Sequence, residues 1–358
     1  MGEWYESVQL QPFEHQVSGQ TGIFQFDDWT LCKPLNTKEK DFYLTLPQNL
    51  KQFTAEFRET IEGKVCENGK GYLTILYHRS LPESPTCENL KLNQERNAEK
   101  EGQRSLQLVM NGENGMNSQA AQNPDSIYEL RPENLNPWIS RCHGKMLKKL
   151  RKVNQSPAFH CKFILLENLA AKYSHPSIID LKMGTMQHGD DFSPEKKEKA
   201  IRKCQNTTSS SLGVRVCGMK VYQEDSDKYI CVNKYYGRSL GVDGFKQTLQ
   251  QFLHNGYEPR KDLLDSIIKK LKDLHGQVQS LDTYRFYSSS LLVMYDVRSQ
   301  DKDVEEASAQ SNIVDVRMID FAHSTHSGFQ NDTRVHTGPD QGYLYGLKSL
   351  IDVFTNMR

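Results

Sequence analysis

The most informative features of this 358-residue chain are absences. Lys plus Arg number 45 and Asp plus Glu 45, so the formal net charge is zero. Nucleic-acid binders ordinarily carry a basic excess, so no nucleic-acid partner is expected, and any anion site must come from local clustering. No apolar run approaches the roughly 18 residues of a membrane span. The opening MGEWYESVQL lacks the basic and apolar regions of a signal peptide, and Glu6 breaks the myristoylation pattern after Met-Gly. The expected location is the cytoplasm, with the nucleus also open. Eight cysteines (Cys32, Cys66, Cys87, Cys142, Cys161, Cys204, Cys217 and Cys231) include no CxxC pair. No HExxH or Cys/His zinc spacing occurs, so the thiols are expected to be reduced and structural. A glycine-rich GxGxxG loop and an HRDxxxxN catalytic loop are also missing.

What is present reads as an α+β protein of two lobes. Hydrophobic residues make up 37% and the mean hydropathy is −0.69, which fits a globular core diluted by polar loops. Residues from about 13 to 80 are rich in strand patterns, with Trp29, Leu31 and Lys33 alternating onto one face. Residues 82–136 are polar and nearly free of aromatics, the composition of a disordered insertion. The predicted N-terminal lobe is 10–166, carrying that insertion, and the C-terminal lobe is 167–358. In the second lobe LGVRVCGMKVYQ and YICVNKYYG predict a strand pair, and RFYSSSLLVMYD and IVDVRMIDFAHS another. SPEKKEKAIRKCQ predicts a helix over 194–205, with Ser193 as N-cap and Pro194 at the first helical position.

Three stretches carry candidate chemistry. In PSIIDLKMGTMQHGDD, Asp180 and Lys182 lie two residues apart on a predicted strand and so share a face, with Ile179 and Leu181 behind them. Either they form a buried ion pair, or they are two charged groups aimed at a ligand. On the 194–205 helix, Lys196, Lys199 and Lys203 fall on one face spanning roughly 10 Å, with Arg202 adjacent. A solvated lysine face is the ordinary reading, and a polyanion cradle extended by Arg215 and Lys234 is the sharper one. In the last strand pair, Val314, Val316 and Met318 share a face with Asp320, a carboxylate at a strand exit that suits a hard cation. Ser289 and Ser290 begin the partner strand. An Asp capping a turn is the plain alternative.

Taken together these stretches resemble the inositol polyphosphate kinase family: PxxxDxKxG at Pro176–Gly184, SSLL at Ser289–Leu292 and IDF at Ile319–Phe321. LGVRVCGM, NKYYGR, RFYSSSLLV and DVRMIDFAHST are more similar to its inositol hexakisphosphate kinase branch. The resemblance implies a two-lobed kinase distantly similar to protein kinases, using ATP and Mg²⁺ to phosphorylate inositol hexakisphosphate. It implies Lys33 at the ATP phosphates, Glu167–Leu169 as a hinge reading adenine through its backbone, and Asp180 at the ribose. Lys182 would act at the transferred phosphate, Asp320 at Mg²⁺ with Ser290 or Ser289 in support. Lys196, Lys199, Arg202, Lys203, Arg215 and His323 would meet substrate phosphates. Two departures stand out. Only SGQTG (Ser18–Gly22) occupies the place of a glycine loop, and Met186 stands where relatives often carry a basic residue. A hydroxyl-directed inositol phosphate kinase and a polyphosphate-sensing scaffold are the competing readings.

Overall fold

The computed structural model describes residues 6–19, 21–67, 73–77, 127–132, 134, 136–153, 161–297, 313–331 and 334–358. In chain order the first elements are β1 (Glu6–Pro12), β2 (Phe24–Asp27), β3 (Thr30–Pro34), α1 (Thr37–Thr45), α2 (Gln48–Lys51), β4 (Phe57–Glu67) and β5 (Leu73–Tyr77). Next come β6 (Ile127–Leu130), α3 (Pro137–Val153), β7 (Cys161–Glu167), β8 (Pro176–Met183), α4 (Pro194–Gln205), α5 (Thr208–Leu212), β9 (Val214–Gln223) and β10 (Lys228–Val232). The chain finishes with α6 (Lys234–Ser239), α7 (Val242–Phe252), α8 (Leu264–Gln279), β11 (Ser290–Asp296), β12 (Val314–Ile319) and α9 (Gln341–Thr355).

The first lobe is a closed barrel in the order β1-β2-β3-β7-β4-β5. Alternate residues fill it, among them Leu10, Phe24, Cys32, Ile61, Val65, Phe163 and Leu165, with Met146 of α3 packed against them. The second lobe is a six-stranded sheet in the order β12-β11-β8-β9-β10-β6. Its core face carries Ile179, Leu181, Leu291, Val293 and Met318, all fully buried. Helix α8 closes part of that core with Ile267, Leu271, Leu274 and Val278, the spacing of one helical face. Each such side chain contributes about 1.5–3 kcal/mol through burial. By contrast α4 buries only Ala200 and Cys204, leaving its charged positions outside the core.

Several sequence expectations change. Residues 82–126 of the expected insertion lie outside the described residues. Its end does not: Ile127–Leu130 form a strand paired with β10, because Tyr128 and Leu130 can pack on the second-lobe core. Lys234 is not on a strand. Asn233 accepts hydrogen bonds from the Tyr235 and Tyr236 backbone N–H groups and so caps a helix there. Trp29 leaves the β3 alternation for a turn and is 59% exposed. Asp320 does not continue the Val316–Met318 face. Its φ of +64° is left-handed, which breaks the alternation and turns its carboxylate toward the barrel lobe.

Candidate active site

The opposite face of the second sheet and the mouth of the barrel enclose a cleft of about 1360 Å³. Strand register builds its centre. Arg215 on β9 pairs with Lys182 on β8, Lys182 with Ser290 on β11, and Ser290 with Ile319 on β12. One transverse row therefore carries a guanidinium, an ammonium and a hydroxyl, and Asp320 follows at its end. Asp180 lies one side-chain step along β8 on the same face. No ion pair joins Asp180 to Lys182, so the buried-pair reading falls. Lys182 instead donates to the Ser288 carbonyl oxygen.

The barrel supplies the other wall. Lys33 Nζ lies 2.9 Å from Asp320 Oδ1 and 2.8 Å from Glu39 Oε1. Burial works against the Lys33 charge, but the two carboxylates outweigh it and hold its pKa above the ordinary value. Burial likewise pushes against ionisation of Asp320, and the charges of Lys33 and Lys182 override it, pulling the carboxyl down to about 2. Asp180 goes the other way. Burial raises its pKa, Lys182 and the Ser18 hydroxyl pull it back, and Asp320 adds to the rise. Ser18, from the SGQTG segment, donates to Asp180 Oδ2, and the Ser290 hydroxyl also favours the ionised carboxyl, whereas Oδ1 is buried with no hydrogen-bond partner among the described residues. That leftover acceptor fits a ligand hydroxyl.

The chain on either side of Gln20 is docked against its surroundings. A Cβ at Gly218 would stand 2.1 Å from Val17 O, and one at Gly22 would stand 3.0 Å from the His143 ring. At the far end, Asn168 ties the crossing between lobes to the β2–β3 turn: its N–H donates to Trp29 O at 2.8 Å and its amide to Asp28 O at 2.9 Å. Glu167 and Leu169 line the cleft there, beside Val17, Leu31, Ile178, Leu292 and Met294. These side chains make this end apolar. The Glu167 carboxylate accepts from Glu56 N–H, and the Glu167 backbone N–H donates in return to Glu56 O at 2.9 Å.

Twelve of the fourteen predicted site residues line this one cleft: Lys33, Glu167, Leu169, Asp180, Lys182, Lys196, Lys199, Lys203, Arg215, Ser290, Asp320 and His323. Two do not. Arg202 sits about 100° around α4 from Lys203 and pairs with Glu198 at 3.7 Å on the exposed side. Ser289 alternates away from Ser290 and is fully buried, donating to Phe286 O at 2.8 Å. His323 lines the cleft with Nδ1 buried and without a partner among the described residues, its ring edge-on to Phe192, and burial lowers its pKa. Sequence reasoning missed Glu39, which had no signal among Lys38, Lys40 and Asp41. It also missed Lys145 and Lys149 of α3 and Arg238 of α6. The Lys234–Arg238 spacing of four was visible, but only a helical reading gives it meaning.

The electrostatics are lopsided. Among the described residues, eleven Lys or Arg side chains line the cleft against four Asp or Glu, in a chain whose total is balanced. Among the described residues, none of Lys182, Lys203, Arg215 and Arg238 has a carboxylate partner. Among the described residues there is also no cluster of three or more His, Cys, Asp or Glu placed to hold a metal. A hard divalent cation that takes part of its shell from substrate phosphates needs fewer protein ligands. Asp320, kept ionised by its low pKa, with Ser290 beside it, is a donor set of that kind.

The inositol polyphosphate kinase family model matches residues 163–355. Inositol hexakisphosphate kinase 1 of Mus musculus is 38% identical, covering 98% of this chain and 94% of its own length. Inositol hexakisphosphate kinase 3 of Homo sapiens is 37% identical over 100% of this chain and 97% of its own. Inositol hexakisphosphate kinase 2 of Homo sapiens is 36% identical over 98% and 95%. This chain belongs to the inositol polyphosphate kinase family. The PxxxDxKxG, SSLL and IDF stretches of this kinase thus lie on or at the ends of three adjacent strands, β8, β11 and β12, with Asp180, Lys182, Ser290 and Asp320 on the cleft.

Proposed function

We propose that this kinase transfers the γ-phosphoryl group of ATP to a phosphate of inositol hexakisphosphate, giving a diphosphoinositol pentakisphosphate and ADP. The observation that carries the reading is the cationic cleft: an excess of seven positive charges gathered from a neutral chain, headed by the Lys33–Asp320 pair. A dense polyanion meeting a nucleotide triphosphate needs that excess. The similarity to inositol hexakisphosphate kinases supports the same acceptor.

The apolar end beside Glu167–Leu169 receives adenine, and Asp180 Oδ1 accepts from the ribose. Lys33, held by Glu39, offsets charge on the donor phosphates, the role an ion-paired strand lysine takes in protein kinases. Asp320, with Ser290, would hold a divalent cation, Mg²⁺ in the finer reading, which when bound neutralises the donor oxygens. Lys182 stands between donor and acceptor and stabilises the phosphoryl group in flight. Lys196, Lys199, Lys203 and Arg215 hold the acceptor's other phosphates. An acceptor phosphate oxygen attacks the γ-phosphorus while the bond to the β-phosphate oxygen breaks. That oxygen is already ionised, so no residue has to remove a proton. Alignment and charge neutralisation do the remainder.

The test is direct. The full chain is incubated with ATP, a divalent cation and inositol hexakisphosphate, and the products are resolved by anion exchange. Every ring hydroxyl of this acceptor is esterified, so turnover must create a phosphoanhydride. Turnover of an inositol trisphosphate with none of the hexakisphosphate would overturn the reading.

A further inference from the structure

We infer that Arg215 and Arg238 form a two-guanidinium seat for one phosphate of the acceptor, next to the phosphate that reacts. The inference rests on the acceptor reading above and adds to it the place where the ring is gripped.

The seat is built by a close approach of helix to strand. Gly237 of α6 lies flush on β9, where a Cβ would stand 2.1 Å from Val216 O. That contact brings Arg238, the next residue of the helix, to the cleft that also holds Arg215, the neighbour of Val216. Arg215 is only 4% exposed and lines the cleft, yet its Nε has no hydrogen-bond partner among the described residues. Its Nη1 donates to Cys217 Sγ at 3.1 Å, a weak acceptor. The Nε of Arg238 is also buried and without a partner among the described residues, and this side chain lines the cleft too. Burial and the charge of Arg215 hold Arg238 below its ordinary pKa. Two guanidinium groups on one cleft, with no carboxylate partner among the described residues and each with an unspent buried donor, are complementary to a tetrahedral dianion that can take paired N–H donors.

The position of the seat follows from register. Arg215 is the direct cross-strand partner of Lys182, on the side away from Ser290 and Asp320. A phosphate on the arginines therefore lies beyond the reacting phosphate as seen from the donor. The α4 lysines stand exposed at the rim of the same cleft. The arginines fix the ring at the floor, and the lysines attract and cover it.

Arg238→Gln and Arg238→Lys decide the matter, each titrated calorimetrically with inositol hexakisphosphate in the absence of nucleotide and assayed for the KM of ATP. The Gln variant is expected to raise the hexakisphosphate Kd by about tenfold or more, since it removes charged hydrogen bonds. Its KM for ATP should stay within about twofold of wild type. The Lys variant keeps the charge but loses the fork, so it should recover only part of the affinity. An unchanged Kd in Arg238→Gln, or an equal rise in Kd and in the KM for ATP, would overturn the seat. Should the Gln variant fail to fold, a Lys variant with wild-type Kd overturns it alone. If the wild-type protein neither binds nor turns over the hexakisphosphate, the acceptor reading falls. The same variants titrated with the inositol trisphosphate it does use then judge the seat separately.

Discussion

Lys33 and Asp320 stand 287 positions apart in the chain, and their side chains meet at 2.9 Å across the two lobes. Glu39, on the helix after the Lys33 strand, completes the arrangement from the barrel side. Phe42 of that helix stacks on Phe321, the residue after Asp320, with ring centroids 5.0 Å apart. The ion pair and the stacked rings lock the barrel to the end of β12, so the groups assigned to donor and cation are set by packing before any ligand arrives.

Replacing Asp320 by Asn should lower kcat by at least about a hundredfold, the scale of losing a group that stabilises charge in phosphoryl transfer. The fold should survive, because Lys33 keeps Glu39 as its partner. Steady-state assays across a range of divalent cation concentrations, with a thermal melt beside them, check this. Unimpaired transfer would remove the cation assignment.

Glu39→Gln should destabilise the protein by about 1–3 kcal/mol, since a buried ionic partner is lost while Asp320 still holds Lys33. The kcat/KM for ATP should fall more than that for the inositol substrate. Urea unfolding and substrate-varied kinetics separate the two effects.

Neutralising Lys199 and Lys203 together to Gln should raise the KM of the inositol substrate roughly three- to tenfold, in line with exposed charges of modest individual worth. The KM for ATP should change little. The effect should shrink at high salt. Equal effects on both substrates would mean an ordinary solvated lysine face.

Gly218→Ala places a methyl group 2.1 Å from Val17 O and must displace the neighbouring segment. Ser18 would then lose Asp180, and the KM for ATP should rise by about tenfold. Binding of the inositol substrate measured without nucleotide should be nearly unchanged, which calorimetry can show.

His143 gives a pH signature. It is buried against Phe24 and Gly22, and burial pushes its pKa down to about 4. The unfolded chain binds this proton near the ordinary value of about 6.5, so between those values the unfolded state holds more protons. Stability therefore rises with pH across the window and falls on acidification. Between pH 7 and pH 5 this one group should cost about 1–2 kcal/mol. His143→Leu should flatten that part of the profile in urea melts at the two pH values. A wild-type slope in the variant would mean the imidazole is not the source.

Much of the site was legible locally. Period-two alternation was enough to put Asp180 and Lys182 on one face of β8 with Ile179 and Leu181 behind, because in a strand that geometry depends on nothing distant. Helical periodicity grouped Lys196, Lys199 and Lys203 in the same way, and the core stripe of α8 was equally plain. Alternation failed at Asp320, where one left-handed residue reset the direction of the side chain. A strand reading of NKYYGR concealed α6 because Asn233, whose cap starts the helix, also sits naturally in a loop.

What the sequence determined by itself was which residue types share a face within each element, and, through three spaced motifs, which family the chain belongs to. Only the tertiary structure decided what those faces meet. Whether Glu39 would be an ordinary helix charge or the partner of Lys33, whether Arg215 would lie beside Lys182, and whether Arg238 would come to the same cleft as Arg215 depended on strand register and on one glycine contact between helix and strand. Local pattern is set by backbone geometry over a few residues. Meetings across the chain are set by how the hydrophobic faces of the two lobes close on each other, and no single segment carries that information.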